Sequence, residues 1–269
     1  MVRRVRLVSC WLLLGCGPAQ QRNPPPPVPW PSVSSNAMTK LPGPAPRGRT
    51  SDEAAQLNRA CEGCHVEIAN EWRDSWHARA HTDAAYQRAF ALEPLAFCQA
   101  CHAPEADSTR PVPEVAARLG VGCVTCHVVG GQVLAASRLG GESTDHGAVA
   151  TTPHPVLRDA RLDGSAACAG CHEFAFPDRT ARRTPELMQS TVTEHARSAQ
   201  RDQACASCHM PLVTTSAVPH RSHAMLGGHD ETLVKTALSA RAERGPAGVR
   251  IILTPRGLGH AFPTGDLFR

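Results

Sequence analysis

The chain has 269 residues and a formal net charge of +4, from 28 Lys and Arg against 24 Asp and Glu. Three of its arginines, Arg3, Arg4 and Arg6, lie in a segment expected to be removed, which leaves the remainder nearly neutral and gives nucleic-acid binding no electrostatic support. Aromatic residues make up only 4% while prolines number 23 and glycines 21, so the side chains alone have modest means of building a core.

The amino terminus combines those arginines with an apolar run from Leu7 to Leu14 and then Gly15-Cys16, the layout of an export signal. The run is too short to span a bilayer. Leu13-Leu14-Gly15-Cys16 resembles the bacterial lipobox, so residues 1–15 are expected to be cleaved and Cys16 to be lipidated, which ties the protein to a membrane of the bacterial periplasm or cell envelope. Ordinary cleavage nearby, with Cys16 a stray thiol, is the simpler alternative. Residues 16–50 hold Pro24 to Pro27 and six further prolines with little apolar periodicity, and are expected to form a semi-rigid tether packed on nothing.

From residue 51 to 243 the chain spells Cys-x-x-Cys-His five times: Cys61/Cys64/His65, Cys98/Cys101/His102, Cys123/Cys126/His127, Cys168/Cys171/His172 and Cys205/Cys208/His209. This is the attachment signal of c-type haem. Two thiols bond the vinyl groups of one porphyrin edge, and the adjacent imidazole binds the iron from below. Zinc knuckles also use Cys-x-x-Cys, but zinc needs no trailing histidine, and here all five pairs carry one. The motifs recur at intervals of 37, 25, 45 and 37 residues, too close for separate domains. Five covalently bound haem c groups in one domain are therefore expected, with haem faces supplying the missing apolar surface.

Between motifs, Ile68, Trp72 and Trp76 form a stripe on a helix expected from about Val66 to Ala80. Thr184-Pro185 reads as the start of a helix on which Met188, Val192 and His195 share a face, and Asp230 as the cap of one running through Leu238. Val249 to Thr254 reads as a strand. A lone strand is unstable, so residues 244–269 are expected to be the start of a β-containing segment that continues beyond the fragment. The fold class is mainly α with extensive loops, organised around stacked haems.

Nine histidines lie outside the motifs: His77, His81, His146, His154, His195, His220, His223, His229 and His260. Five irons need at most five. His77 and His195 share a His-Ala-Arg context upstream of a motif, and His154 is stiffened between Pro153 and Pro155. With His223 and His260 they make the selected distal set; His81, His146 and His220 rank lower.

Cys61 to His65 followed by Trp72-x-x-Ser75-x-His77, Gly122-Cys123-x-x-Cys126-His127, Cys205-x-x-Cys208-His209-Met210-Pro211 and Gly259-His260-x-Phe262-Pro263-Thr264-Gly265 make the chain similar to the cytochrome c-554 and hydroxylamine oxidoreductase-related multihaem cytochromes. The resemblance covers most of the chain from about Asn58. It implies parallel-stacked and perpendicular haem pairs among helices, a distal-ligand role for His77 to a haem other than its sequence neighbour, and either electron transfer or redox chemistry on small nitrogen or sulfur compounds. Two departures bear on activity. Pentahaem nitrite reductases end their catalytic motif in lysine, and hydroxylamine oxidoreductases carry more haems and a cross-linked tyrosine, whereas every motif here ends in histidine and Tyr86 is the one tyrosine.

Ten haem propionates against five ferric haem cores take the processed chain from about +1 to about −4 when oxidised. An acidic holoprotein fits a redox partner with a basic face. No nucleotide-binding glycine loop or hydrolytic triad is present. The leading reading is an electron carrier with closely spaced bis-histidine haems, exchanging electrons with redox partner proteins such as a quinol-linked donor or other cytochromes. The rival is a multihaem oxidoreductase with one five-coordinate iron.

Overall fold

The structure, a computed structural model, describes residues 41–45, 48–137, 153–175, 187–246 and 248–265. The expected signal segment and most of the tether, including Cys16, lie outside these residues, as does His146. Among the described residues no helix is long and apolar enough to cross a membrane.

Thr50 and Glu53 cap each other's backbone amides and start α1 (Ser51–Cys64), which ends inside the first motif. Helix α2 (Val66–Arg73) follows at once. It stops at Arg73 rather than reaching Ala80: Ser75 is buried, its Oγ accepts from Ala78 N, and the His77 carbonyl is taken by Val121 N at 2.9 Å. Asp83 caps α3 (Ala84–Leu92); α4 (Ala96–His102), α5 (Glu114–Leu119) and α6 (Cys123–His127) carry the chain through the second and third motifs.

Strands β1 (Val128–Val129) and β2 (Gln132–Ala135) form a tight hairpin, and β3 (Leu157–Arg158) joins β2 in parallel. A 3-10 turn (Ala160–Asp163) leads to α7 (Ala166–His172), the fourth motif. Strands β4 (Glu173–Ala175) and β5 (Leu187–Ser190) pair antiparallel and α8 (Thr191–Arg197) follows. The expected helix start at Thr184-Pro185 lies outside the described residues, and Met188 sits in β5, one turn short of α8.

The fifth motif is α9 (Cys205–His209), followed by the pair β6 (Leu212–Val213) and β7 (His220–Arg221). Asp230 accepts from Leu233 N to cap α10 (Glu231–Ala237), which stops one residue before Leu238. Strands β8 (Leu238–Gly245) and β9 (Gly248–Pro255) then pair in unbroken register from Leu238 opposite Pro255 to Gly245 opposite Gly248. The strand expected at 249–254 thus has its partner immediately upstream. That partner went unread because Ala240-Arg241-Ala242-Glu243-Arg244 is made of good helix formers without a period-two apolar pattern.

The core is thin. Ala54, Trp72, Leu119, Val124, Val128, Val133 and Val156 form its main cluster, and Trp72 Nε1 donates to Val121 O at 2.8 Å. A smaller cluster holds Ala103, Ala106 and Ala116. Among the described residues after 150, only Val156 and Leu238 are buried hydrophobics, so the half carrying the last two motifs has almost no apolar interior of its own.

The end of the expected tether is packed, unlike the free spacer read from sequence. Pro42 is buried and Ala45 N donates to Ala100 O at 2.9 Å. Arg49 reaches Glu105 through Nε at 2.7 Å and Nη2 at 2.8 Å, and donates to the Val128 and Val124 carbonyls. The Glu105 side chain is 1% exposed and also accepts from Thr125 Oγ1. A carboxylate stripped of this partner stays buried, so Arg49→Met is expected to lower unfolding free energy by about 3–5 kcal/mol in urea titration. A loss under about 1 kcal/mol would make the pair equivalent to a surface one.

Candidate cofactor sites

Every motif lies in the last turn of a short helix or ends one. At positions i, i+3 and i+4 the two thiols and the imidazole fall on one face, the arrangement a porphyrin bound by one edge requires. Cys64 and Cys208 are exposed, the other eight motif thiols, Cys98 and Cys101 among them, are half-buried, and none of the ten is in a disulfide. Helices α6 and α9 have five residues each, too few to persist by propensity, so attachment and tertiary contacts hold them.

The motif imidazoles are oriented from behind. His102 Nδ1 faces Ala80 O at 2.6 Å, His127 Nδ1 faces Leu134 O at 2.8 Å, and His209 Nδ1 faces Leu226 O. A carbonyl accepts only from N–H, so each contact puts the proton on Nδ1 and leaves Nε2 as the metal donor. His172 Nδ1 instead meets the Gln189 amide at 3.2 Å.

Four motif imidazoles face a second imidazole. Ring centres are 6.4 Å apart for His65 and His154, 6.1 Å for His77 and His172, 6.1 Å for His127 and His223, and 6.0 Å for His209 and His260. Two imidazoles on opposite sides of one metal, with metal–nitrogen bonds of about 2 Å, have ring centres about 6 Å apart. Three of the four opposing rings also direct Nδ1 at a carbonyl: His154 at Pro155 O, His223 at Arg221 O and His260 at Ala261 O. Among the described residues no three His, Cys, Asp or Glu side chains converge as a zinc knuckle would need. The donors fit haem c: a thiol pair on one edge and an imidazole on each side at the right separation.

Burial favours the neutral form, which binds metal, at several of these rings, His65 among them. It lowers His127, and it lowers His77 with further push from His102 and His209. His223 is lowered to about 4, chiefly by burial and then by His127.

Cys98, Cys101 and His102 take their places on α4. His102 stacks on Tyr86, with ring centres 3.8 Å apart and planes 10° apart. His81 lies 5.5 Å from the same phenol ring. The Tyr86 hydroxyl, His81 Nδ1 and His77 Nδ1 are buried without a hydrogen-bond partner. Burial, and after it the neighbouring Cys98 and Cys101 thiols, raise Tyr86, which stays a neutral phenol.

His195 sits against Gly259, where a Cβ would come within 3.1 Å of its Cδ2, and near Cys205. His195 and His260 therefore both fall at the fifth motif, and it is His260 that faces His209. His229 stacks on Trp76 at 4.2 Å.

His220 serves as an electrostatic strut. Its Nε2 meets Glu71 Oε1 at 3.2 Å, while Glu71 Oε2 accepts from His223 N at 2.8 Å. Burial opposes its protonation, but the Val218 carbonyl and the Glu71 carboxylate prevail and raise it above its ordinary 6.5. Its contribution to stability is thus full below that value and lost as pH rises through the raised one. Urea midpoints on either side of neutrality should show this fall, and Glu71→Gln should flatten it; an unchanged profile would remove the strut.

Sequence reasoning found the thiols and motif histidines but missed Arg49, Glu71 and the carbonyl anchors, whose partners are distant in the chain.

Attachment motifs on helix ends, with imidazoles facing one another at the separation a metal between them needs, fit a c-type cytochrome with covalently bound haem c, a class that transfers electrons. Residues 60–128, which contain the first three motifs, match the family described as cytochrome c554 and c-prime, and that stretch is similar to it. No curated protein and no solved structure matches the chain.

Proposed function

We propose that the protein is an exported, lipid-anchored pentahaem cytochrome that relays electrons between a membrane-linked donor, such as a quinol-dependent protein, and further redox partners. The observation that carries it is the set of four imidazole pairs at 6.0–6.4 Å, a separation that suits two axial ligands on one iron. The haem supplies reversible one-electron Fe(III)/Fe(II) chemistry. At the four paired positions the chain would offer an imidazole on each side of the iron, from His65 and His154, His77 and His172, His127 and His223, and His209 and His260. Mass spectrometry of the mature protein should find five porphyrins and a diacylated amino-terminal Cys16. An unmodified Cys16 at that terminus would end the lipid anchor, and fewer porphyrins the pentahaem reading.

A further inference from the structure

The fourth motif is joined to three others by separate sets of contacts. Toward the second, Phe97 on α4 packs edge to face on Phe174 in β4, with ring centres 5.2 Å apart. The segment 41–45 lies between the same two motifs: Ala45 N donates to Ala100 O at 2.9 Å, and a Cβ on Gly170 would come within 2.6 Å of Pro42 O. Ala100 and Gly170 each precede the second cysteine of their motif, Cys101 and Cys171.

Toward the third motif the link is His77, the ring facing His172. Val121 N donates to His77 O at 2.9 Å, and a Cβ on Gly120 would come within 2.6 Å of the His77 and Ala78 carbonyls. Gly120, at φ +54°, allows that approach and leads directly into Cys123.

Toward the fifth motif, Glu173 adjoins His172 and accepts from Val192 N and Thr193 N at the start of α8. From the same helix Glu194 accepts from Ala261 N at 3.0 Å and Thr264 Oγ1 at 2.8 Å, on the segment that carries His260. The Cys168 and Cys205 thiols also share a hydrogen bond, so two porphyrin edges bonded there would meet. The first motif, by contrast, is tied to the third: α1 packs on α6, and Asn58 Oδ1 accepts from Val124 N.

We propose that the haem position built by Cys168, Cys171, His172 and His77 is the junction of the electron path, from which the second, third and fifth positions are each reached directly and the first through the third. The proposal rests on the bis-histidine reading above. Tunnelling falls steeply with edge separation, so a position with contacts toward three others can exchange electrons with each of them. Thr125 Oγ1 on Glu105 also joins the third motif to the second, so the path is a network rather than a single file.

The test is a reductive titration of the full-length holoprotein followed by electron paramagnetic resonance, on the unmodified protein and on His77→Met. A low-spin ferric iron broadens the signals of its neighbours, and on reduction it becomes diamagnetic and the broadening ends. Methionine raises the reduction potential of the haem it ligates. In His77→Met one haem should change its signal and reduce at higher potential, and three other signals should sharpen at that same shifted potential while the fifth haem's stays as it was. Sharpening of one signal or none overturns the junction and leaves the ligand reading intact. If His77→Met changes no signal, His77 is not the ligand and the junction falls with the pairing. Should the variant not accumulate, the unmodified protein decides: three signals sharpening together support the junction, and pairwise sharpening overturns it.

Discussion

Replacing Cys123 and Cys126 by serine is expected to abolish the folded protein, not merely to remove one haem. Helix α6 supplies Val124 and Thr125 to the centre of the main cluster, at 0% and 2% exposure, and Glu105 and Arg49 both bond to it. It has five residues and no propensity to stand alone. With total stability of about 5–15 kcal/mol, loss of a haem face beside the largest cluster together with release of the Arg49 network exceeds what the remainder can offset. The double variant Cys205→Ser/Cys208→Ser makes the contrast, because α9 buries no residue. It should accumulate with four haems and keep the thermal transition of the amino-terminal half. A folded four-haem Cys123→Ser/Cys126→Ser protein with unchanged melting temperature would show that haem attachment and the core are independent.

The oxidised protein is expected to show only low-spin ferric haems, and the reduced protein should bind no carbon monoxide. His65, His127, His172 and His209 each face an imidazole at the separation of two axial ligands, and nine histidines outside the motifs are enough for five irons. Replacing His223 by alanine should convert one haem to high spin and let it bind carbon monoxide. A high-spin haem in the unmodified protein that binds nitrite or hydroxylamine would overturn this count and favour an oxidoreductase.

What could be read from the sequence was whatever chemistry is local. Thiol, thiol and imidazole at i, i+3 and i+4 lie within one helical turn, so the attachment sites were legible without a fold. The opposing rings come from other elements. His223 reaches His127 from beyond β7, and His154 reaches His65 from beside β3. Such pairings depend on packing that no local pattern encodes. His77 and His195 share a His-Ala-Arg context, yet the first lies in turns after α2 and the second inside α8. The β8–β9 hairpin was half legible, because β9 alternates Val249, Ile251 and Leu253 while β8 offers only alanines between charges.

The nearly coreless carboxyl-terminal half bears on how the protein matures. A half-chain that buries two hydrophobic side chains cannot close before its haems arrive, so Cys168, Cys171, Cys205 and Cys208 stay open to the attachment machinery until they are filled. The amino-terminal half can gather around Trp72 and Val124 while it waits. A molecule that misses a haem in its second half is therefore expected to keep a loose end that proteases can cut. Low apolar content thus acts as proofreading: incompletely loaded molecules are removed, and those that persist carry the full complement.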